Sequence, residues 1–449
     1  MAEDNLETTC CVVGGGPAGV MLGFLLARSG VRVTVLEKHG DFLQDFRGDT
    51  VHPSTLDLFH QLGLLEDFLK LPHQQLTSIG AAFGDFSFRA ADFSRVPGRA
   101  KFIALMPQWD LLDFLVKRAG QFPTFDLRMQ HEGVTVIADG SRITGVEARK
   151  PDGTTLRIQA SLVVACDGRH STVRQAAQME VREFGVPIDV LWFHISRQPG
   201  DPERALGNFN YGKALILINR GKYYQAGVII RKGSFDEVKS HGIGEFRQAV
   251  SQVAPYLADR VSELHDWEQI KLLTVKINRL RQWYRPGLLC IGDAAHAMSP
   301  AWGVGINLAI QDATAAARIL ANPLLENQVT EEVLAAVQHR REFPTQVTQF
   351  LQVNVHRAMD RFLFQNPGPF QAPWPLKLAM SIPGVPHLTG RFVGLGVRPE
   401  QIRHSGERKV PAWTVCAAIA AAFAVTAVRI LKNTGRKTMP AAVVPALRA

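Results

Sequence analysis

The chain has 449 residues, 46% of them hydrophobic and 20% charged, which is enough to bury a core of two domains and excludes a disordered protein. Its net charge of +9 does not describe a nucleic-acid binder, because the last 49 residues, with eight Lys or Arg and one Glu, hold +7 of it. Five scattered cysteines exclude a disulfide framework, no His or Cys spacing suits a metal, and the polar start Met1 to Glu7 carries no secretory signal, so a cytoplasmic, metal-free body is expected.

A short apolar strand ending at Val13 runs into Gly14-Gly15-Gly16-Pro17-Ala18-Gly19. Ala18 to Ser29 reads as a helix stopped by Gly30, and Val31 to Leu36 as a β-branched strand ending on Glu37, with Lys38 beside it. Strand, Gly-x-Gly-x-x-Gly, helix and terminal acid make a dinucleotide site. The glycines let the backbone approach a pyrophosphate, the helix N-terminus favours phosphate, and the acid binds a ribose hydroxyl of either NAD or FAD.

Arg47 follows closely enough to reach a cofactor or substrate, or to sit on the surface. Thr55 to Leu64 reads as a helix, Leu76 to Phe88 as strands, and Ala100 to Leu105 as a continuation of their sheet. Gln108 precedes a helix over Leu111 to Ala119, as a ligand contact or a helix-start residue. Val134 to Ala138, Ile143 to Lys150 and Thr154 to Ile158 predict a meander, followed by a buried strand, Leu162 to Cys166. That strand delivers Asp167-Gly168, and Arg174 lies in the helix beyond, a second description of a ligand crevice.

Residues 187 to 230 are rich in strand formers and predict a sheet that walls a substrate pocket. A third stretch, Gly292-Asp293 through Pro300, Gly303, Gly305, Ile306 and Asn307, runs from a buried strand to a helix over Leu308 to Leu320, whose N-terminus would stabilise negative charge. Thr330 to Phe364 is a long helical pattern interrupted at Pro344.

In order and spacing the three stretches resemble the class A flavoprotein monooxygenases, the p-hydroxybenzoate hydroxylase-like group that includes ubiquinone-pathway hydroxylases, over roughly residues 8 to 400. The resemblance implies an α/β fold with a Rossmann-like FAD-binding domain, an inserted β-sheet substrate domain and a C-terminal helical segment. The expected boundaries are 1–75, 100–180 and 278–329 for FAD, 76–99 and 181–277 for substrate, 330–400 for the helical region, and 401–449 for a basic tail.

It further implies that Gly14, Gly16, Pro17, Ala18, Gly19, Glu37 and Lys38 bind the FAD adenosine half, and that Asp167, Gly168 and Arg174 serve FAD and pyridine nucleotide. Gly292 and Asp293 are then assigned to the ribityl and pyrophosphate region, and Pro300, Gly303, Gly305, Ile306 and Asn307 to the flavin ring. Arg47 and Pro300 are the candidate catalytic residues, and Gln108 also touches the cofactor. NAD(P)H would reduce FAD transiently, and O₂ would then hydroxylate an aromatic or lipophilic, quinone- or isoprenoid-like substrate through a flavin C4a-hydroperoxide. His52 and His296 are proton-handling candidates by location alone. A reductase of isoprenoid double bonds and a membrane-tethered, non-catalytic nucleotide-binding protein are the alternatives. The tail departs from the resemblance: residues 410–428 are uncharged and flanked by Arg408, Lys409 and Arg429, long enough to anchor in a membrane, with a packed helix or an interfacial segment as the other readings.

Overall fold

The structure is a computed structural model and describes residues 4–43, 50–201, 206–365, 368–369 and 371–402. Arg47 and the apolar segment 410–428 lie outside the described residues. Among the described residues no helix is long and apolar enough to cross a membrane.

The first βαβ unit is Asp4–Val13, Pro17–Arg28 and Val33–Glu37. Proline at the first helical turn presets the backbone for the helix. Gly23 lets that helix sit on the sheet, since a Cβ there would lie 2.7 Å from the Val35 side chain and 2.9 Å from Phe125. Ten of its twelve residues are buried, between the sheet and the helices Gln108–Ala119 and Gly305–Leu325.

Asp4–Val13 pairs in parallel with Val33–Glu37 on one side and Thr155–Ala165 on the other, and Leu288–Cys290 continues in parallel beyond. Val13 stands opposite both Leu36 and Ala165, and Ala165 opposite Cys290. This register brings the carboxyl ends of four strands to one edge, the place where open parallel sheets bind ligands. Thr155–Ala165 is one strand where two were expected. Its first half, up to Gln159, pairs with Arg142–Arg149 and its length from Leu156 with Asp4–Val13, so the expected break at Gln159-Ala160-Ser161 is bridged by the pairing with Asp4–Val13.

A second sheet has seven strands. Their order is Lys271–Leu273, Ile188–Ser196, Tyr223–Arg231, Lys213–Asn219, Leu206–Asn210, Ser78–Phe83 and Phe86–Asp92. One face packs Leu191, Phe193 and Ile195 against Phe246 and Val250 of the helix Gly242–Val253. Ile103–Leu105 does not continue this sheet; it pairs instead with Thr50–Val51 and Gln74–Leu76 in a three-stranded sheet of its own. Glu331–Phe362 is a single helix that runs through Pro344. Tertiary contacts override the local break, with Arg341, Thr345 and Gln352 wholly buried along it.

Candidate active site

The glycines of the first motif divide their tasks. Gly14 takes φ +107 and stands so close to the next strand that a Cβ would lie 2.5 Å from the Cys166 carbonyl oxygen; at Gly19 it would lie 1.9 Å from the Gly14 carbonyl oxygen. These two are demanded by packing. Gly16, the helix N-cap, has nothing within 4 Å of that position and no side-chain cap bond, leaving the N-terminal N–H groups open. Glu37 is buried at the next strand end, where Gly15 N donates to its Oε2 (2.8 Å) and His39 N to its Oε1 (3.0 Å). Oε1 also takes His39 Nδ1 (2.7 Å), so Oε2 is the oxygen that keeps capacity for a hydroxyl donor.

At the third strand end Asp167 accepts from Val173 N (3.2 Å) and the Thr172 hydroxyl (3.3 Å) through Oδ2, while Oδ1 is buried without a partner. Burial pushes its carboxyl above the usual carboxylate range. At the fourth, Gly292 takes φ +58 and lets two helices meet: a Cβ there would lie 3.1 Å from Ala18 Cβ and 3.3 Å from Ala309 Cβ. Asp293 follows, paired to Arg169 at 3.6 Å.

These groups open into one cavity of about 890 Å³. Gly14, Gly16, Pro17, Ala18, Glu37 and Lys38 line it, as do Gln108, Asp167, Gly168 and Asp293. Pro300, Gly303, Gly305 and Ile306 line it farther on, where it runs to the second face of the seven-stranded sheet, which packs in part on Val353 and Leu363. There the wall is apolar, with Ile188, Val190, Trp192, Phe209, Ile216 and Ile229. Trp192 lies over Gly227, whose missing side chain leaves its ring room, and its Nε1 is buried without a partner.

Four expected cofactor contacts stand elsewhere. Gly19 and Gly292 are packing glycines. Arg174 is buried behind the cavity and donates to Ala294 O (2.9 Å) and Arg169 O (2.8 Å), tying the Asp-Gly loop to the Gly-Asp loop. Asn307 donates to Thr50 O (3.0 Å) and Gly303 O (3.2 Å) and accepts from His52 N and Thr55 Oγ1 (both 2.8 Å), so its amide latches the loop at Thr50 to the turn at Gly303. Neither His52 nor His296 lines the cavity. His52 bonds Val393 O through Nδ1 (2.8 Å), and burial lowers its pKa to about 4, which keeps it neutral.

A buried charge cluster behind Gly292 had no signal in the sequence. Asp312 accepts from Gly292 N (3.1 Å), His296 Nε2 (2.6 Å) and Arg341 Nε (2.8 Å), and Arg341 reaches on to Glu400 (3.2 Å). Burial is the largest single influence on Asp312 and raises its pKa, but His296 and Arg341 together hold it below the usual carboxylate value.

Bare backbone at Gly16, an acid at the second strand end, the orphaned Asp167 Oδ1 and a cavity that joins all of them fit an extended dinucleotide cofactor. The chain belongs to the FAD binding domain family, whose model matches residues 7–351. It is 31% identical over 361 residues to 6-methylpretetramide 4-monooxygenase of Streptomyces rimosus, spanning 79% of this chain and 85% of that one. To dialkyldecalin synthase of Streptomyces rugosporus it is 28% identical over 323 residues, 69% of this chain and 64% of that one. OxyS anhydrotetracycline hydroxylase from Streptomyces rimosus shares the fold, with a TM-score of 0.68 at 22% identity over 87% of this chain and 76% of that one. The chain is an FAD-dependent monooxygenase of the class A type.

Proposed function

We propose that this protein hydroxylates a flat, lipophilic, polycyclic phenol-like substrate held against the face of the seven-stranded sheet. The observation that carries this reading is the continuity of the cavity from the four strand ends to that apolar face. A wall of Ile188, Val190, Trp192, Phe209 and Ile229 suits a fused aromatic body, and the charge on this side, Arg220, is held by Gln225 Oε1 (2.8 Å). The named substrates of 6-methylpretetramide 4-monooxygenase and the anhydrotetracycline hydroxylase support the same class.

The open N–H groups at Gly16 hold the pyrophosphate of FAD, Glu37 and Lys38 the adenosine ribose end, and Asp167 Oδ1 and Asp293 hydroxyls of the cofactor chain. Pro300, Gly303, Gly305 and Ile306 would line the edge of the ring, and Gln108 would complete the contacts. Bound there, FAD supplies the chemistry of taking hydride from NAD(P)H and activating O₂. The chain's own work is to orient the substrate ring and keep water from the reacting face, for which the apolar sheet face is suited. Association of residues 410–428 with a membrane, on an otherwise cytoplasmic body, belongs to the same proposal and suits delivery of a poorly soluble substrate.

Incubating the full chain with FAD and a panel of polycyclic phenols, single-ring phenols and isoprenoid quinones tests this. NAD(P)H oxidation and hydroxylated product with the polycyclic members is the expected result. Turnover confined to single-ring phenols or to double-bond reduction would remove the reading. The same panel with a chain ending at Ile402, with and without lipid vesicles, tests the tail: equal vesicle binding by both chains would exclude it as an anchor.

A further inference from the structure

We infer that Gln352 is a positioning residue for the turn that faces flavin and substrate, an inference resting on the reading of Pro300 to Ile306 as the flavin edge. Gln352 lies on the helix Glu331–Phe362, is wholly buried, and does not itself line the cavity. Its side-chain oxygen accepts from Ser299 N (3.1 Å), while its amide nitrogen donates to Ser299 O (3.2 Å) and Ala301 O (3.1 Å). One side chain thus satisfies three backbone groups, two of them buried and one partly so, of a three-residue stretch that no ladder pairs.

The neighbours on the same helix face extend the clamp. Four residues on, His356 Nε2 lies 3.1 Å from the Ser299 hydroxyl, which accepts from Ala301 N at 3.2 Å. Three residues back, Gln349 Nε2 donates to Ala297 O (3.1 Å) and Asn278 O (2.8 Å). Burial lowers the His356 pKa to about 4, so this rung is a neutral hydrogen bond. What the clamp holds is a strained turn: Trp302 sits at φ +66, a left-handed conformation that non-glycine residues adopt at a cost, and Gly303 follows at φ +62. A Cβ on Gly303 would lie 2.3 Å from Thr50 Oγ1, so the turn is wedged from the other side as well. Met298 to Gly303 line the cavity, and Leu351, Val355 and Met359 of the clamping helix line it too. The helix therefore sets the distance between substrate wall and flavin edge.

The position calls for an amide. Glutamate would keep the acceptor for Ser299 N but lose both donors, placing its oxygens against the carbonyls of Ser299 and Ala301. The test compares Gln352→Glu with Thr348→Val, a buried change on the same helix whose hydroxyl bonds only Pro344 O, both loaded with FAD. For Gln352→Glu we expect amide exchange in peptides spanning 298–306 to rise about tenfold, the equivalent of one hydrogen bond, with a shifted flavin midpoint potential. The share of NAD(P)H electrons released as hydrogen peroxide should rise several-fold while the substrate KM changes little. Thr348→Val should show none of this, whatever its loss in Tm.

Wild-type exchange, potential and coupling in Gln352→Glu, or the same changes in Thr348→Val, would overturn the inference. If Gln352→Glu fails to fold, Ser299→Ala, which removes only the hydroxyl rung, carries the same expectation at smaller amplitude. If the wild type forms no hydroxylated product, the substrate reading fails, and exchange and potential still decide the clamp.

Discussion

Gly14, Gly16 and Gly19 stand within six residues of one another and are glycine for different reasons, which only the coordinates separate. A methyl at Gly19 would press on backbone, an obstacle that cannot rotate away, so Gly19→Ala should cost at least the ~1–3 kcal/mol of ordinary overpacking and lower Tm visibly. Gly16→Ala meets open space and should fold with unchanged Tm, yet weaken FAD binding about tenfold if its methyl displaces one phosphate hydrogen bond, ~1.4 kcal/mol. Calorimetry with FAD titration separates the two; equal losses of Tm would contradict the division. The sequence marks such residues as site-like but does not say where their bonds point. Arg174 and Asn307 carry the polarity of ligand contacts and spend it on holding loops together, as their carbonyl partners at Ala294, Arg169, Thr50 and Gly303 show.

Among the elements, those with strong local patterns were legible: the first βαβ unit, the strand delivering Asp167, and the helix after Gly305. Misreadings fell where pairing partners are remote. Thr155–Ala165 is continuous because its pairing with Asp4–Val13 bridges the expected break, and Ile103–Leu105 joins Thr50–Val51 by register with residues some fifty positions earlier. The charge cluster is less legible still, since Asp312, Arg341 and Glu400 lie 29 and 59 positions apart and belong to no local motif. All three are buried, so Arg341→Met would leave Asp312 short of its cationic partner and should destabilise the fold by ~3–5 kcal/mol. A urea midpoint unchanged from wild type would show that the cluster does not brace the helices behind Gly292.

At the scale of the whole molecule, parallel register places four strand ends on one edge, and the second sheet turns an apolar face toward them. The first feature was legible, because each strand end carries its own signature residues. The second was legible only as strand-forming composition, since which face of a strand meets the cavity depends on Gly242–Val253 covering the other. The shape of the cavity, and hence the substrate class, needed the fold. The relatives include one named a dialkyldecalin synthase and not a monooxygenase, and a fold does not by itself fix the chemistry it hosts. The source of the product's new oxygen atom decides that. With FAD, NAD(P)H, a polycyclic phenol and ¹⁸O₂ in unlabelled water, we predict a product heavier by one ¹⁸O atom, formed in step with NAD(P)H consumed. A product without label, from protein that holds its flavin, would contradict the assignment as a monooxygenase.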